Sequence, residues 1–146
     1  MINSFKGEYA WASNFALYGF RYDNILYPSN EHFFQAMKTL VQEERVVISR
    51  ATSPGIAKRM GRKVTLRKDW NSIKDEVMLY GCRQKFKHCT IAVKLIGTYP
   101  QGLVEGNLWH DNYWGNCYCA KCTNIPGKNK LGHLLEVVRL ELINKI

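Results

Sequence analysis

No apolar run in this 146-residue sequence approaches the roughly 18–20 residues needed to cross a bilayer as a helix, and Met1 to Tyr9 lacks the basic-then-apolar pattern of a secretory leader. A membrane partner is not expected, and the protein reads as cytoplasmic. Repeats, low-complexity tracts and Pro/Gly/Ser-rich linkers are missing as well, which predicts a single domain over residues 1–146. No P-loop, dinucleotide fingerprint, nucleophile elbow or Ser-His-Asp pattern is present, so no cofactor is expected and the common nucleophilic triads are excluded. A disulfide framework is also lacking. The five cysteines are odd in number, and three crowd into Cys117, Cys119 and Cys122. Zinc would need a fourth ligand from His110, His133, Cys82 or Cys89, and the two separated ligand pairs usual in structural sites are not seen. Reduced thiols are the preferred reading, and no metal is assigned.

What is present is an ordinary globular composition, 46% hydrophobic and 23% charged, with a formal charge of +9 from 21 Lys+Arg against 12 Asp+Glu. Such a field attracts anions such as nucleic acid or nucleotide phosphates. One basic stretch is denser than the rest: Lys58, Arg59, Arg62, Lys63, Arg67 and Lys68. Leu17 to Arg21 and Ile25 to Tyr27 read as strands around a turn at Tyr22-Asp23-Asn24. Ser29 is placed to cap a helix from Asn30 to about Val41, with Phe33, Phe34, Met37, Leu40 and Val41 inward. Further helices are predicted over Glu43 to Ala51, from Ser53-Pro54 to Gly61, and from Asp69 to about Lys87, the last burying Trp70, Ile73, Val77, Tyr80 and Gln84. Thr90 to Gly97 is left open between helix and strand. Leu103-Val104 reads as a short strand, Gly106 to Gly127 as a long functional loop, and Leu131 to Ile143 as a closing helix.

Three constellations carry chemistry. Glu31, Gln35 and Lys38 fall within an arc of about 60° on the early helix, at the edge of its apolar face; periodicity alone assigns such a stripe to solvent. Glu105 to Gly115 gathers Glu105, His110, Asp111, Trp109, Tyr113 and Trp114, a set suited to a nucleoside or glycoside, although buried tryptophan also anchors ordinary loops. Gly127-Lys128-Asn129-Lys130-Leu131-Gly132 runs into the N-terminus of the last helix, where backbone N–H groups favour a phosphate, but its spacing matches no phosphate-binding motif and a plain capping turn is the preferred reading.

Taken in order, Phe5-Lys6-Gly7, Ser13-Asn14-Phe15, Tyr27 to Lys38, Ala57 to Arg62, Leu66 to Trp70, Lys85-Phe86, Asp111 with Trp114-Gly115, and Gly127 to Asn129 with Leu131-Gly132 resemble the motif series of the NADAR family, also called YbiA-like. The similarity spans nearly the whole chain. It implies a helix-rich α+β fold with a small antiparallel sheet and N-glycosidase activity on ADP-ribose-like or phosphoribosyl substrates. Some members resemble hydrolases of riboflavin-pathway intermediates, others enzymes that remove ADP-ribose from guanine in nucleic acid. The resemblance also implies that Glu31, Gln35 and Lys38 face the ligand, with Asn14, Arg62, Trp70, Asp111, Trp114, Gly115 and Asn129 around them. Two features depart from the pattern: the cysteine-rich stretch before Gly127, and Leu135-Glu136 where Leu-Met is usual.

Cleaving a base–ribose bond develops positive charge at the anomeric carbon, so a carboxylate is needed nearby, a role open to Glu31 or Asp111. Lys38 offers a covalent route through an imine, if burial or neighbouring cations depress its amine pKa. On a continuous helix Glu31 and Lys38 stand roughly 10 Å apart, room for a ribose with Gln35 on a hydroxyl. The leading expectation is removal of ADP-ribose from guanine in nucleic acid. A phosphoribosyl-intermediate hydrolase, a non-catalytic ADP-ribose module and a zinc-dependent nucleic-acid binder are the alternatives.

Overall fold

The computed structural model describes Met1 to Ile146. It contains six α-helices, two short 3₁₀ helices and two pairs of very short strands, the helix-rich α+β class expected. The chain sorts into two compact units: Asn14–Lys85, and Met1–Ser13 with Phe86–Ile146. No helix is long and apolar enough to cross a membrane.

In the Asn14–Lys85 unit, β1 (Phe20–Tyr22) pairs antiparallel with β2 (Ile25–Tyr27), Phe20 opposite Tyr27 and Tyr22 opposite Ile25. Asp23 and Asn24 join them with φ of 52° and 64°, the left-handed pair that a two-residue type I′ hairpin requires and that short polar side chains tolerate. The first strand starts at Phe20, three residues later than expected. Four helices follow: α1 (Asn30–Ala36), α2 (Gln42–Ser49), α3 (Pro54–Gly61) and α4 (Trp70–Lys85). Both serine caps form as predicted, Ser29 Oγ accepting from His32 N and Ser53 Oγ from Ile56 N, each at 3.2 Å.

Every residue of α1 is buried, with α2, α3 and α4 packed against it. Phe33 anchors the aromatic cluster, its ring centroid 5.1–5.7 Å from those of Phe20, Tyr22, Tyr27 and Tyr80. The buried face of α4 is Trp70, Met78, Gly81, Cys82 and Lys85, displaced from the predicted Val77, Tyr80 and Gln84. At Gly81 a Cβ would lie 2.0 Å from Asn30 Oδ1, so α4 meets α1 closely at a residue without a side chain, which the apolar pattern does not reveal.

The other unit opens with a 3₁₀ helix (Gly7–Ala12) and contains α5 (Cys89–Gly97), β3 (Gly106–Asn107), β4 (Asn116–Cys117), a 3₁₀ turn (Ala120–Cys122) and α6 (Lys130–Asn144). The segment left open between helix and strand is thus helical. Ile2 bridges Leu103, Val104 N donating to Ile2 O at 2.8 Å. Its buried residues include Ile2, Phe5, Trp11, Phe86, Ile91, Leu95, Leu103, Leu131, Leu135 and Val138. Arg139, buried on α6, donates to Thr98 Oγ1 at 3.0 Å and Gln101 O at 2.7 Å, fastening the turn after α5. Residues 106–127 are irregular apart from the parallel β3–β4 pair and the 3₁₀ turn.

Candidate active site

A buried α1 changes the meaning of its polar side chains. Glu31 and Gln35 are 7% and 4% exposed, so the solvated-surface reading of the stripe is excluded. Gln35 Nε2 donates to Glu31 Oε1 at 2.8 Å, one helical turn apart. Gln35 Oε1 is buried with no hydrogen-bond partner and lies against Gly61, where a Cβ would come within 1.9 Å of it. A buried amide oxygen without a donor costs about 1–3 kcal/mol. Asn14 holds the start of the helix: its backbone O accepts from Glu31 N at 3.0 Å and its Oδ1 from Asn30 Nδ2 at 2.9 Å.

Lys38 is not on the helix. Periodicity carried α1 to Val41, yet helical structure ends at Ala36, and Met37-Lys38 form a turn into an isolated bridge between Thr39 and Leu66. Polar partners from later in the chain outcompete another helical turn. Arg67 N donates to Lys38 O at 2.8 Å, Arg45 Nε to Thr39 O at 2.8 Å, and Thr39 Oγ1 to Glu44 Oε1 at 2.5 Å. With the helical phase lost, Leu40 and Val41 are exposed instead of buried, and the helical spacing of Glu31 from Lys38 no longer applies. The Lys38 amine is half-buried and its pKa is held below the ordinary lysine value. Burial is the largest cause; the Glu31 carboxylate opposes it, and the Arg62, Lys58 and Lys74 cations reinforce it.

Arg62, exposed at the end of α3, therefore contributes to this site through its charge. Trp70 is 7% exposed, its ring packed at 5.0 Å on Phe34, so it acts as a wall of the α1 core. Arg67 is a positioning residue that the sequence showed only as one member of a basic run: its guanidinium grips Asp69 at 2.7 and 3.1 Å while its backbone fixes the Lys38 turn.

The remaining predicted site residues lie together in the other unit, where their polar atoms shape backbone. Asp111 Oδ1 accepts from Tyr113 N at 3.1 Å and Trp114 N at 2.9 Å. Trp114 packs edge-on against Tyr113 at 4.8 Å. Gly115 is required by a close approach, since a Cβ would meet Glu105 O at 2.0 Å. Asn129 adopts a left-handed φ of 50° and is buried, its Nδ2 donating to Leu103 O at 2.8 Å and its Oδ1 accepting from Glu105 N at 3.0 Å. The phosphate reading of Gly127 to Gly132 is overturned. The N–H groups of Lys128, Asn129, Lys130 and Leu131 are already spent on the carbonyls of Asn112, Gly115, Tyr113 and Trp114, at 2.8–3.1 Å. The segment is a capping turn.

The Asn14–Lys85 unit thus holds a depressed amine near a buried carboxylate–amide pair, and comparison with known proteins identifies the family. The NADAR domain family model matches residues 3–143. The chain is 41% identical over 142 residues to the N-glycosidase YbiA of Shigella sonnei, covering 95% of this chain and 85% of that protein. It is 33% identical to an N-glycosidase of Nostoc punctiforme, covering 93% of this chain and 87% of that protein. A riboflavin biosynthesis protein of Vibrio vulnificus is 31% identical over 92% of this chain, which spans 36% of that protein. The NMR structure of E. coli YbiA superposes with a TM-score of 0.84 at 38% identity, covering 99% of this chain and 84% of that chain. With a family match over nearly its full length and relatives of this identity, this protein belongs to the NADAR domain family.

Proposed function

We propose that this chain, an N-glycosidase like its relatives, removes ADP-ribose from guanine bases in nucleic acid through an imine on Lys38. The observation that carries the reading is the Lys38 amine itself. It is half-buried, depressed in pKa by burial and by surrounding cations, and fixed in a turn beside a buried carboxylate. A lysine on an open surface has no neutral amine to spare near pH 7; one so placed has more. The charge of +9 favours a polyanionic substrate.

In the proposed reaction, Lys38 Nζ forms a bond to the anomeric carbon while the bond from that carbon to the base breaks. The electron pair leaves with the base, which takes up the proton shed by the attacking amine, relayed by Glu31. Opening of the sugar ring then gives an imine between Nζ and the former anomeric carbon. Water adds to this carbon and expels the amine, so the net change is one water consumed, with free base and ADP-ribose released. Gln35 Oε1 offers an acceptor for a sugar hydroxyl, and Glu31 stabilises positive charge at the carbon under attack. Asp111 and Asn129, with side-chain oxygens engaged by backbone, support the loop that carries Trp114 and the start of α6, with no proton transfer assigned to them.

A second reading is favoured by one relative: the Vibrio protein is named for riboflavin biosynthesis, so a phosphoribosyl pyrimidine is the rival substrate. Offering both substrates side by side separates the two, with guanine released from ADP-ribosylated DNA expected to dominate. Borohydride added during turnover should fix ADP-ribose to the Lys38 peptide, and Lys38→Ala should abolish both base release and trapping. Normal turnover by Lys38→Ala eliminates the covalent route; faster release from the pyrimidine eliminates the nucleic-acid substrate.

A further inference from the structure

We propose that His110, Cys117, Cys119 and Cys122 form a structural zinc site. Their ligand atoms all lie within 4.8 Å of one another. His110 Nδ1 stands 3.3 Å from Cys119 Sγ and 3.4 Å from Cys122 Sγ. In a tetrahedral zinc site, bonds of ~2.3 Å to sulfur and ~2.0–2.1 Å to nitrogen set ligand atoms roughly 3.5–3.8 Å apart, so little rearrangement is needed to close this quartet on an ion. Three thiolates and an imidazole suit zinc and disfavour hard cations, and four protein ligands leave no open position, so the site is structural.

Spacing along the chain had argued against a metal, because the ligands do not form two separated pairs. The fold supplies what spacing lacked. His110 sits at a left-handed φ of 68°, which turns its ring back toward the cysteines. Cys117 ends β4, its N–H held by Asn112 Oδ1 at 2.9 Å, and Tyr118 N donates to Asn107 O at 2.8 Å. Cys119 N points at Cys117 Sγ at 3.5 Å, an N–H···S contact that favours a thiolate there. Cys119 and Cys122 then close a Cys-x-x-Cys turn through Cys122 N to Cys119 O at 3.1 Å.

A second observation explains why a staple belongs here. Four of the apolar side chains along this stretch point outward: Leu108, Trp109, Tyr118 and Ile125 are 65%, 49%, 54% and 49% exposed. Apart from the half-buried Tyr113 and Trp114, hydrophobic burial thus does little to hold the cysteine-bearing part of this stretch, and cross-linking by a metal supplements it. The same stretch carries Asn112 to Gly115, whose carbonyls cap α6, so an ion at the quartet would also secure that helix start.

The full-length protein, produced with zinc and under reducing conditions, should carry one zinc per chain by elemental analysis. The cobalt-substituted protein should show the visible bands of tetrahedral thiolate coordination. Cys119→Ser and His110→Ala should each lower metal content, whereas Cys89→Ser, at an exposed cysteine outside the quartet, should not. A chelator should speed protease cleavage within residues 108–125 and lower Tm. Because serine variants can fail to fold, the wild-type cobalt spectrum is the deciding measurement. A protein that takes up neither metal, or one whose Cys119 and Cys122 are joined as a disulfide despite zinc and reductant, overturns the proposal.

Discussion

At the scale of single residues, the depressed Lys38 amine has consequences for pH. The proposed nucleophile is the neutral amine, so kcat/KM should rise with pH along a limb whose midpoint lies below the ordinary lysine pKa. Arg62 is one of the cations that disfavour the charged amine, and its removal lets the amine hold its proton more tightly. Arg62→Gln should therefore move that limb to higher pH, read from a pH–rate profile on a small soluble substrate; an unmoved or lowered midpoint separates Arg62 from the nucleophile. His32 titrates in the opposite region. It is 1% exposed, bonded to Ser29 Oγ at 2.7 Å and Ala51 O at 3.0 Å, and burial pushes its pKa down. The unfolded chain accepts a proton near pH 6.5 that the folded chain refuses, so stability is full above about pH 6.5 and is lost as pH falls below it. Denaturant midpoints measured from pH 7.5 to 5 should decline, and His32→Gln should flatten the decline even if it lowers the plateau.

At the scale of elements, two glycines in helices should respond to alanine with opposite sign. Gly97, the exposed last residue of α5, has no atom within 4 Å of a built Cβ, so Gly97→Ala should stabilise by about 0.5–1 kcal/mol through helix propensity. At Gly81 the same change drives a methyl into Asn30 and should cost roughly 1–3 kcal/mol by overpacking, checked by urea midpoints. Two equal responses would refute the packing of α4 on α1. These elements also show what a sequence can reveal. The β1–β2 turn and α3 were legible because their signals are local: Asp23-Asn24 in the first, Ser53, Pro54 and Gly61 in the second. The end of α1 was not, since Arg67, Arg45 and Glu44 decide it from up to about thirty positions away. The same gap governs the site. Glu31 and Gln35 sit on a helix whose burial comes from α2, α3 and α4, so periodicity assigned them to water and only the ordered motifs of the family pointed inward. The His110 ring is brought to its cysteines by a backbone turn, a choice among four candidates that spacing left undecided.

For the whole molecule, the excess of nine positive charges is the property that separates the two substrates. Lysines and arginines that sit on phosphates release counterions, so log affinity for a polyanion falls with log salt at a slope of about −0.9 per phosphate neutralised. A substrate with only one or two phosphates has few counterions to release. Arg59, Lys63 and Lys68 are exposed in the basic stretch around α3 and have no role assigned in the reaction, whereas Arg67 is engaged with Asp69. The combined variant Arg59→Gln, Lys63→Gln, Lys68→Gln should therefore weaken kcat/KM on ADP-ribosylated duplex DNA and reduce its salt slope by up to about 3, roughly one for each charge that contacts a phosphate. On an ADP-ribosylated guanosine monomer the same variant should behave like the parent. Assays from 50 to 200 mM salt on both substrates decide the matter. Equal and shallow slopes for the parent on duplex and monomer would remove the case for nucleic acid and favour a small phosphoribosyl substrate.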